Sequence, residues 1–309
     1  MWPGKEPVGL AVSGGPDSLG LLLLAQAALP GSFMAATVDH GLRSESAAEA
    51  RYVSRLCEAR GIQHETLTIA LSPGPALQER AREARYAVLG QWAIRNGLGA
   101  LVTAHHADDQ AETLLMRLSR GAGVRGLAAM RASSPLPGEQ QCRLLRPLLG
   151  WRRSDLARIV AGAGIEPVLD PSNSDVRFER ARLRAQLSRN QGLDPLVIAA
   201  SARHLAEADE AIEWAAARCF ATVRAEGRIR YWDPDDVPRS VALRVLERIV
   251  EDFGIGRPRG NALARWHDRL RDGGIATLAG VRGDGRKSEW RFALAPKPRQ
   301  LADPSTGSP

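Results

Sequence analysis

The sequence predicts an α/β protein: a doubly wound, mostly parallel sheet followed by a smaller, mainly helical C-terminal domain. Three observations carry this. Short apolar runs alternate with helix-length segments over the first 190 residues, as in successive β-α-β units. A Gly-Gly turn, Gly14-Gly15, joins the first apolar run to the first helix-like one. From about Gly192 the strand signals stop and long helix-like stretches take over. The expected domains are residues 1–190 and 191–309, with a Pro/Gly/Ser-rich tail after about residue 302 that reads as disordered.

Taken in order, the strand candidates are residues 9–12, 34–38, 65–69 and 101–103, with weaker ones near 143–146 and 167–169. Helix candidates at 19–29, 44–60, 76–96 and 108–120 alternate with them. In the second domain, 193–225, 240–253 and 261–271 are helix-like, and 275–294, with its Gly-rich turns, could form a small hairpin. Ligands of open parallel sheets bind beyond the carboxyl ends of the strands. Ser13, the Asp39-His40-Gly41 turn and the segment from Thr103 to His106 all follow strand ends, so the three are expected to face one cleft.

Composition narrows the class of protein. At 309 residues, 44% hydrophobic and 25% charged, the chain has ordinary soluble globular character and can bury a full core. The formal charge of +7 and the isoelectric point of about 10.0 favour an anionic partner without identifying it. The only lysines are Lys5, Lys287 and Lys297; arginine suits planar phosphate recognition, although a GC-rich coding sequence accounts for the skew equally well. Residues 191–256 carry 8 basic and 12 acidic groups, and 257–299 carry 11 and 4. Beside a phosphate-handling domain, that basic stretch reads as a nucleic-acid contact. Cys57, Cys142 and Cys219 are far apart and form no Cys-X-X-Cys pair, which argues against a disulfide framework or zinc site and fits a reducing compartment. The apolar run after Ser18 is about eleven residues, too short for a bilayer, and has no basic lead-in. A cytoplasmic protein without a membrane partner is expected.

The densest chemical signal is Val12-Ser13-Gly14-Gly15-Pro16-Asp17-Ser18. A strand, a glycine turn and a helix start make an anion site, because unpaired N–H groups converge there and the helix dipole adds positive potential. Ser13 and Ser18 add hydroxyls. No lysine follows, so this is not the Gly-Lys-Ser/Thr loop of the common NTPases. After the second strand comes Asp39-His40-Gly41-Leu42-Arg43. An acid there reaches a ribose or a metal and Arg43 a phosphate; capping of the next helix by Ser44 or Ser46 is an equal reading.

Between Thr103 and Thr113 the chain reads Thr-Ala-His-His-Ala-Asp-Asp-Gln-Ala-Glu-Thr. Asp108 and Glu112 share one helical face, and Asp109 and Thr113 another. First-turn acids complement the helix dipole, but two adjacent histidines before two aspartates exceed what capping requires. The block suits magnesium, a basic amine or the base to be modified. From Arg117 to Leu127 three arginines (Arg117, Arg120 and Arg125) are interleaved with glycines, offering forks for phosphate. Five arginines lie between Arg177 and Arg189, with Arg180 and Arg184 on one helical face; a phosphate contact and a solvated face are equal readings.

Together these blocks resemble the tRNA(Ile)-lysidine synthetases, members of the pyrophosphate-loop ATPases with an adenine nucleotide alpha hydrolase-like fold. The matching pieces are residues 13–18, 39–43 with Glu45, Ala81-Arg82-X-X-Arg85-Tyr86, 105–113, 120–127, Arg146-Pro147-Leu148-Leu149 and Asp170-Pro171-Ser172-Asn173. The chain departs from the family where Arg180-Ala181-Arg182-Leu183-Arg184 stands for the usual Arg-Asn-X-Ile-Arg, which removes any contact from that asparagine. It is also shorter than relatives with an added C-terminal tRNA-binding domain. The resemblance implies that ATP and Mg²⁺ adenylate the wobble cytidine of the isoleucine tRNA with a CAU anticodon, and that free L-lysine then displaces AMP. It implies ATP binding by Ser13, Gly14, Gly15, Pro16, Asp17, Ser18, His40 and Arg43, with Asp17 also as the Mg²⁺ ligand. The catalytic candidates are Asp17, Asp39, His105, Asp108, Asp109 and Glu112. Arg120, Arg125, Arg180 and Arg184 would contact tRNA or phosphate, and a homodimer is the implied assembly. The rivals are a sulfur-inserting adenylating tRNA modifier, which generally needs a cysteine pair or iron–sulfur cluster, and a non-catalytic nucleotide- or RNA-binding relative.

Overall fold

The computed structural model describes residues 6–41, 46–71, 74–168, 179–189, 192–258 and 260–296. The chain forms two compact units, residues 1–206 and 207–309.

The first unit is built on a six-stranded sheet. Its strands are β1 (Val8–Ala11), β2 (Phe33–Asp39), β3 (His64–Thr68), β4 (Ala100–Val102), β5 (Ser133–Leu136) and β6 (Glu139–Leu145), in the order β3-β2-β1-β4-β6-β5. All neighbours are parallel except the edge strand β5, which runs antiparallel to β6. Four helices make the first crossovers: α1 (Pro16–Ala28), α2 (Ser46–Ala59), α3 (Leu77–Arg95) and α4 (Ala107–Leu118). The short α5 (Val124–Leu127), then α6 (Arg153–Gly162) and α7 (Glu179–Arg189), complete this region. Strand order reverses between β1 and β4, which puts the crevice for a ligand at the ends of those two strands.

Alternate residues of the same strands feed two cores, as a sheet covered on both faces requires. Val8, Leu10, Ala35 and Val102 pack with Leu19 and Leu22 of α1, Val53 of α2 and Leu156 of α6. Ala36, Leu101 and Leu144 pack with Tyr86, Leu89 and Trp92 of α3. Burial on both sides explains why the strands read as continuous apolar runs. Gly9 is set by close approach: a Cβ there would stand 2.4 Å from Trp92 Cζ3.

The second unit departs from the mainly helical expectation. It contains most of α8 (Pro195–Phe220), α9 (Arg239–Asp252) and α10 (Gly260–Arg271), together with a five-stranded antiparallel sheet. The sheet consists of β7 (Arg224–Glu226), β8 (Ile229–Trp232), β9 (Ile275–Leu278), β10 (Val281–Asp284) and β11 (Trp290–Leu294), in the order β7-β8-β11-β10-β9. Its strands are only three to five residues long, too short for the apolar alternation to stand out. The inward residues Trp232, Val281, Trp290 and Phe292 pack with Val245 and Ile249 of α9 and Trp266 of α10. The hairpin expected at 275–294 is real, but it is part of this sheet.

The units divide inside α8, not near residue 190. Ala202 on the first part of that helix is buried with Leu114 of α4 and Ala129, so those turns belong to the first core. The tail after residue 302 lies outside the described residues. Among the described residues no helix is long and apolar enough to cross a membrane.

Candidate active site

The turn after β1 is built for close approach. Strand register continues to Val12, whose N–H donates to Ala36 C=O at 2.9 Å. Gly14 then takes φ +85°, a region costly for other residues. A Cβ there would also press Val53 at 3.0 Å and Val168 at 3.1 Å. Gly15 is extended and starts α1, with Pro16 in its first turn and Asp17 beside it. Ser13 N–H donates to Ser18 Oγ at 3.2 Å, and Ser18 Oγ–H donates to Gly15 C=O at 3.0 Å. The hydroxyl of Ser18 therefore knits the loop together. What remains for an anion is the first turn of α1, whose N–H groups have no carbonyl one turn back within the helix.

Across the strand-order reversal, the turn after β4 places two histidines against this loop. His106 is 2% exposed. Its Nε2 lies 3.5 Å from Asp17 Oδ2 and 3.5 Å from Asp109 Oδ2, and its Nδ1 lies 3.5 Å from Asp108 Oδ2. Burial resists charging this ring, but hydrogen bonds to Asp108 and Asp17 and the charge of Asp109 outweigh it, and the pKa is pushed up to about 10. The imidazolium is thus the counter-ion of three carboxylates. His106 also starts α4: its N–H donates to Asp109 Oδ2 at 3.1 Å. The reverse contact, Asp109 N–H to His106 Nδ1, is 3.4 Å long, and the protonated ring points that nitrogen's hydrogen to Asp108 instead. His105 behaves in the opposite sense. Burial, reinforced by Arg146, Arg82 and Arg180 against the pull of Asp109, lowers its pKa to about 4; its Nδ1 is 2.8 Å from Thr103 Oγ1.

The remaining acids differ in their surroundings. Asp108 is 31% exposed and accepts Arg153 N–H at 2.9 Å; burial raises its pKa, and His106 and that N–H more than reverse the effect. Glu112 is 1% exposed and takes both Arg184 Nε at 2.7 Å and Nη2 at 3.3 Å. Arg180 donates to Thr113 Oγ1 at 3.3 Å, and Arg120 pairs with Glu179. Arg184, Arg180 and Arg120 thus fasten α7 to α4, whereas Arg125 is half-buried in α5. Asp39 closes its own loop, accepting Ser46 Oγ–H at 2.6 Å and Gly41 N–H at 2.9 Å, which lowers its pKa. His40 beside it has a buried Nδ1 with no partner among the described residues. Arg43, Glu45 and residues 170–173 lie outside the described residues.

Sequence reasoning missed Arg153, whose Nε is 3.7 Å from Asp17 Oδ1. It opens α6 in an unremarkable Trp-Arg-Arg-Ser run, so no motif marks it. A glycine turn leading into a helix N-terminus at the switch point, faced by a histidine among carboxylates, defines an α/β protein that handles nucleotide phosphates.

The comparisons agree on the class and narrow it. Residues 3–191 match the PP-loop domain family. The tRNA(Ile)-lysidine synthase of Novosphingobium aromaticivorans is 57% identical, covering 96% of this chain and 93% of that protein. The enzyme of the same name from Zymomonas mobilis is 44% identical over 97% and 92%. This chain belongs to the tRNA(Ile)-lysidine synthase family of PP-loop proteins. Among solved structures, a tRNA thiolase, NcsA from Methanococcus maripaludis, shares the fold at 18% identity and a TM-score of 0.54, over 66% of this chain and 74% of that one.

Proposed function

We propose that this protein uses ATP to ligate lysine to carbon 2 of the wobble cytidine of the isoleucine tRNA with a CAU anticodon, forming lysidine and changing decoding from AUG to AUA. Family membership supports the reaction. One observation supports its location: His106 bridges Asp17, at the start of α1, to Asp108 and Asp109, at the start of α4.

The triphosphate sits on the turn at residues 13–18, against the first N–H groups of α1. Oδ1 of Asp17 is buried without a hydrogen-bond partner among the described residues and is a hard oxygen donor of the kind Mg²⁺ shares with nucleotide phosphates. The ion would supply charge neutralisation on the departing pyrophosphate. Cytidine O2 bonds to the α-phosphorus as the bond to pyrophosphate breaks, and the electron pair leaves with pyrophosphate. Lysine Nζ then bonds to C2, the C2–O2 bond breaks, and AMP departs carrying that oxygen. The amine attacks only when neutral, so a carboxylate must hold it and take up its proton. We place Asp108 there: it is more exposed, at 31%, than Asp109 at 17% or Glu112 at 1%, and Glu112 is already paired with Arg184. Asp109 and His106 orient the start of α4, His105 stays neutral at the cleft, and Asp39 and His40 shape the loop on the β2 side.

Sulfur insertion is less supported by the placement of the thiols. Cys57 is buried in the core under α1 and α2, Cys142 in the core under α3, and Cys219 belongs to the second unit.

The deciding assay is incorporation of radiolabelled lysine into the isoleucine tRNA with ATP and Mg²⁺, with the elongator methionine tRNA as control. Label in the first tRNA alone is expected. Pyrophosphate release without label would overturn lysine as the nucleophile. Light scattering on the purified protein tests the homodimer.

A further inference from the structure

Trp151 is the one aromatic side chain of residues 1–206 that stands exposed among the described residues, at 39%. It belongs to none of the apolar cores, and among the described residues no other ring and no guanidinium stacks on it. Single exposed apolar side chains are common and call for no explanation of their own. The setting of this one does. Its C=O accepts Ala107 N–H at 2.9 Å, at the start of α4, and its own N–H donates to Leu148 C=O at 2.9 Å. The residues that follow are held as firmly. Arg152 reaches both oxygens of Asp194 at 2.8 and 2.7 Å, and its N–H donates to Asp155 Oδ2 at 3.1 Å. Arg153 N–H donates to Asp108 Oδ2 at 2.9 Å, and Arg153 Nε is 3.7 Å from Asp17 Oδ1.

A broad apolar ring is thus kept out of the core on a pinned backbone, two residues from the contacts to Asp108 and Asp17. A ring carried in this way loses little conformational freedom when something stacks on it. The wobble cytidine lies in the unpaired anticodon loop, and proteins hold unpaired bases by stacking them on aromatic rings. The adenine of ATP also offers a flat face, but the strand order separates the two. Trp151 follows β6, on the β4 side of β1, whereas the loop at Asp39 and His40 follows β2, on the other side. ATP, bound through the β1 turn and His40, takes the β2 side, which leaves the β6 side, next to Asp108, for the RNA.

We infer that Trp151 is a positioning residue for the RNA: its ring stacks on the unpaired base that neighbours the wobble cytidine and sets that cytidine before Asp108. The choice of RNA as occupant rests on the proposed function, but the exposed ring and its pinned backbone do not. Stacking accepts any base, so this contact supplies grip and not selection between bases.

The test measures tRNA affinity by filter binding, KM for tRNA and for ATP, and the thermal midpoint in wild type, Trp151→Ala and Trp151→Phe. Three isoleucine tRNAs are compared: the intact one and two with an abasic nucleotide immediately before or after the wobble cytidine. Trp151→Ala should bind intact tRNA about tenfold more weakly and raise KM for tRNA, with KM for ATP and the thermal midpoint unchanged. Phenylalanine should recover most of the affinity. One abasic tRNA should bind wild type about tenfold more weakly, and Trp151→Ala should bind that tRNA no worse than it binds the intact one, as coupled partners require. Losses that add with both abasic tRNAs would overturn the stacking assignment. A raised KM for ATP with unchanged tRNA binding would overturn it in favour of adenine. A dimer that Trp151→Ala dissociates in light scattering, with tRNA affinity intact, would give the ring to a second copy of the chain. Coupled losses in a protein that incorporates no lysine would sink the proposed reaction and support this contact.

Discussion

His105 and His106 share a peptide bond but differ in charge at neutral pH. His106, among three carboxylates, is a cation with its pKa pushed up to about 10; His105, buried and surrounded by arginines, is neutral with its pKa lowered to about 4. The alternation follows from the chain entering α4. The first histidine faces the Arg82 and Arg146 side, and the second faces the first turn of α1. One dipeptide thus marks the border between an acidic and a basic half of the cleft.

Replacing His106 with Gln removes the cation common to Asp17, Asp108 and Asp109. We expect a loss of about 2 kcal/mol, below the usual figure for breaking a buried pair because two of the acids are about 30% exposed. Thermal unfolding would check it; an unchanged midpoint would mean that the three acids do not need the ring.

Asp17→Ala should abolish tRNA-dependent pyrophosphate release while leaving tRNA binding largely intact, because Asp17 belongs to the phosphate turn. Pyrophosphate release at the wild-type rate would remove Asp17 from the chemistry. Asp108→Asn should instead raise KM for lysine more than it slows adenylation, which separate assays of the two half-reactions resolve.

Arg184→Leu leaves Glu112, 1% exposed, without its partner. The expected cost is about 3 kcal/mol, and a double variant with Glu112→Leu should recover most of it, since an apolar pair replaces a broken ionic one. Urea unfolding of the single and double variants measures the coupling. Equal stability of the two would show that the ion pair does not hold α7 against α4.

Gly9→Ala should destabilise the first unit by about 1–3 kcal/mol, because the new methyl overlaps the Trp92 ring. Trp92→Phe in the same chain should relieve part of that cost. If the two substitutions simply add, the contact is not the reason for glycine at this position.

Burial pushes the Cys57 thiol up to about 11 and raises that of Cys142 as well. In the native protein at pH 8, Cys219 should react with a thiol reagent first and Cys57 only on unfolding, because the thiolate is the reactive species. Raising the pH toward 11 should speed Cys57 only where local opening exposes it. Changing all three cysteines to alanine should leave lysine incorporation in place; its loss would revive the sulfur-inserting alternative.

Much of the first unit was legible because its signals are local. Continuous apolar runs between helix-length segments point to a sheet buried on both faces, and Gly14-Gly15 before Pro16 and Asp17 reads as a tight turn into a helix. The histidine–aspartate block likewise lies in one stretch of chain, and its placement at a strand end followed from the alternation alone. The chain's primary structure therefore determined the parallel fold and the segments that face the cleft. Tertiary structure decided which charges meet. Glu112 and Arg184 are 72 positions apart, and nothing local tells that Arg184 pairs with a buried acid on another helix. The same holds for Arg82, Arg85 and Arg146, which converge on Tyr86 only because α3 packs against the sheet beside β6. In the second unit, strands of three to five residues were too short for a readable alternation, and five of them became a sheet only by pairing with one another over the apolar faces of α9 and α10. Hydrophobic periodicity is written residue by residue, but charge pairing and antiparallel closure depend on distances that exist only once the chain has folded.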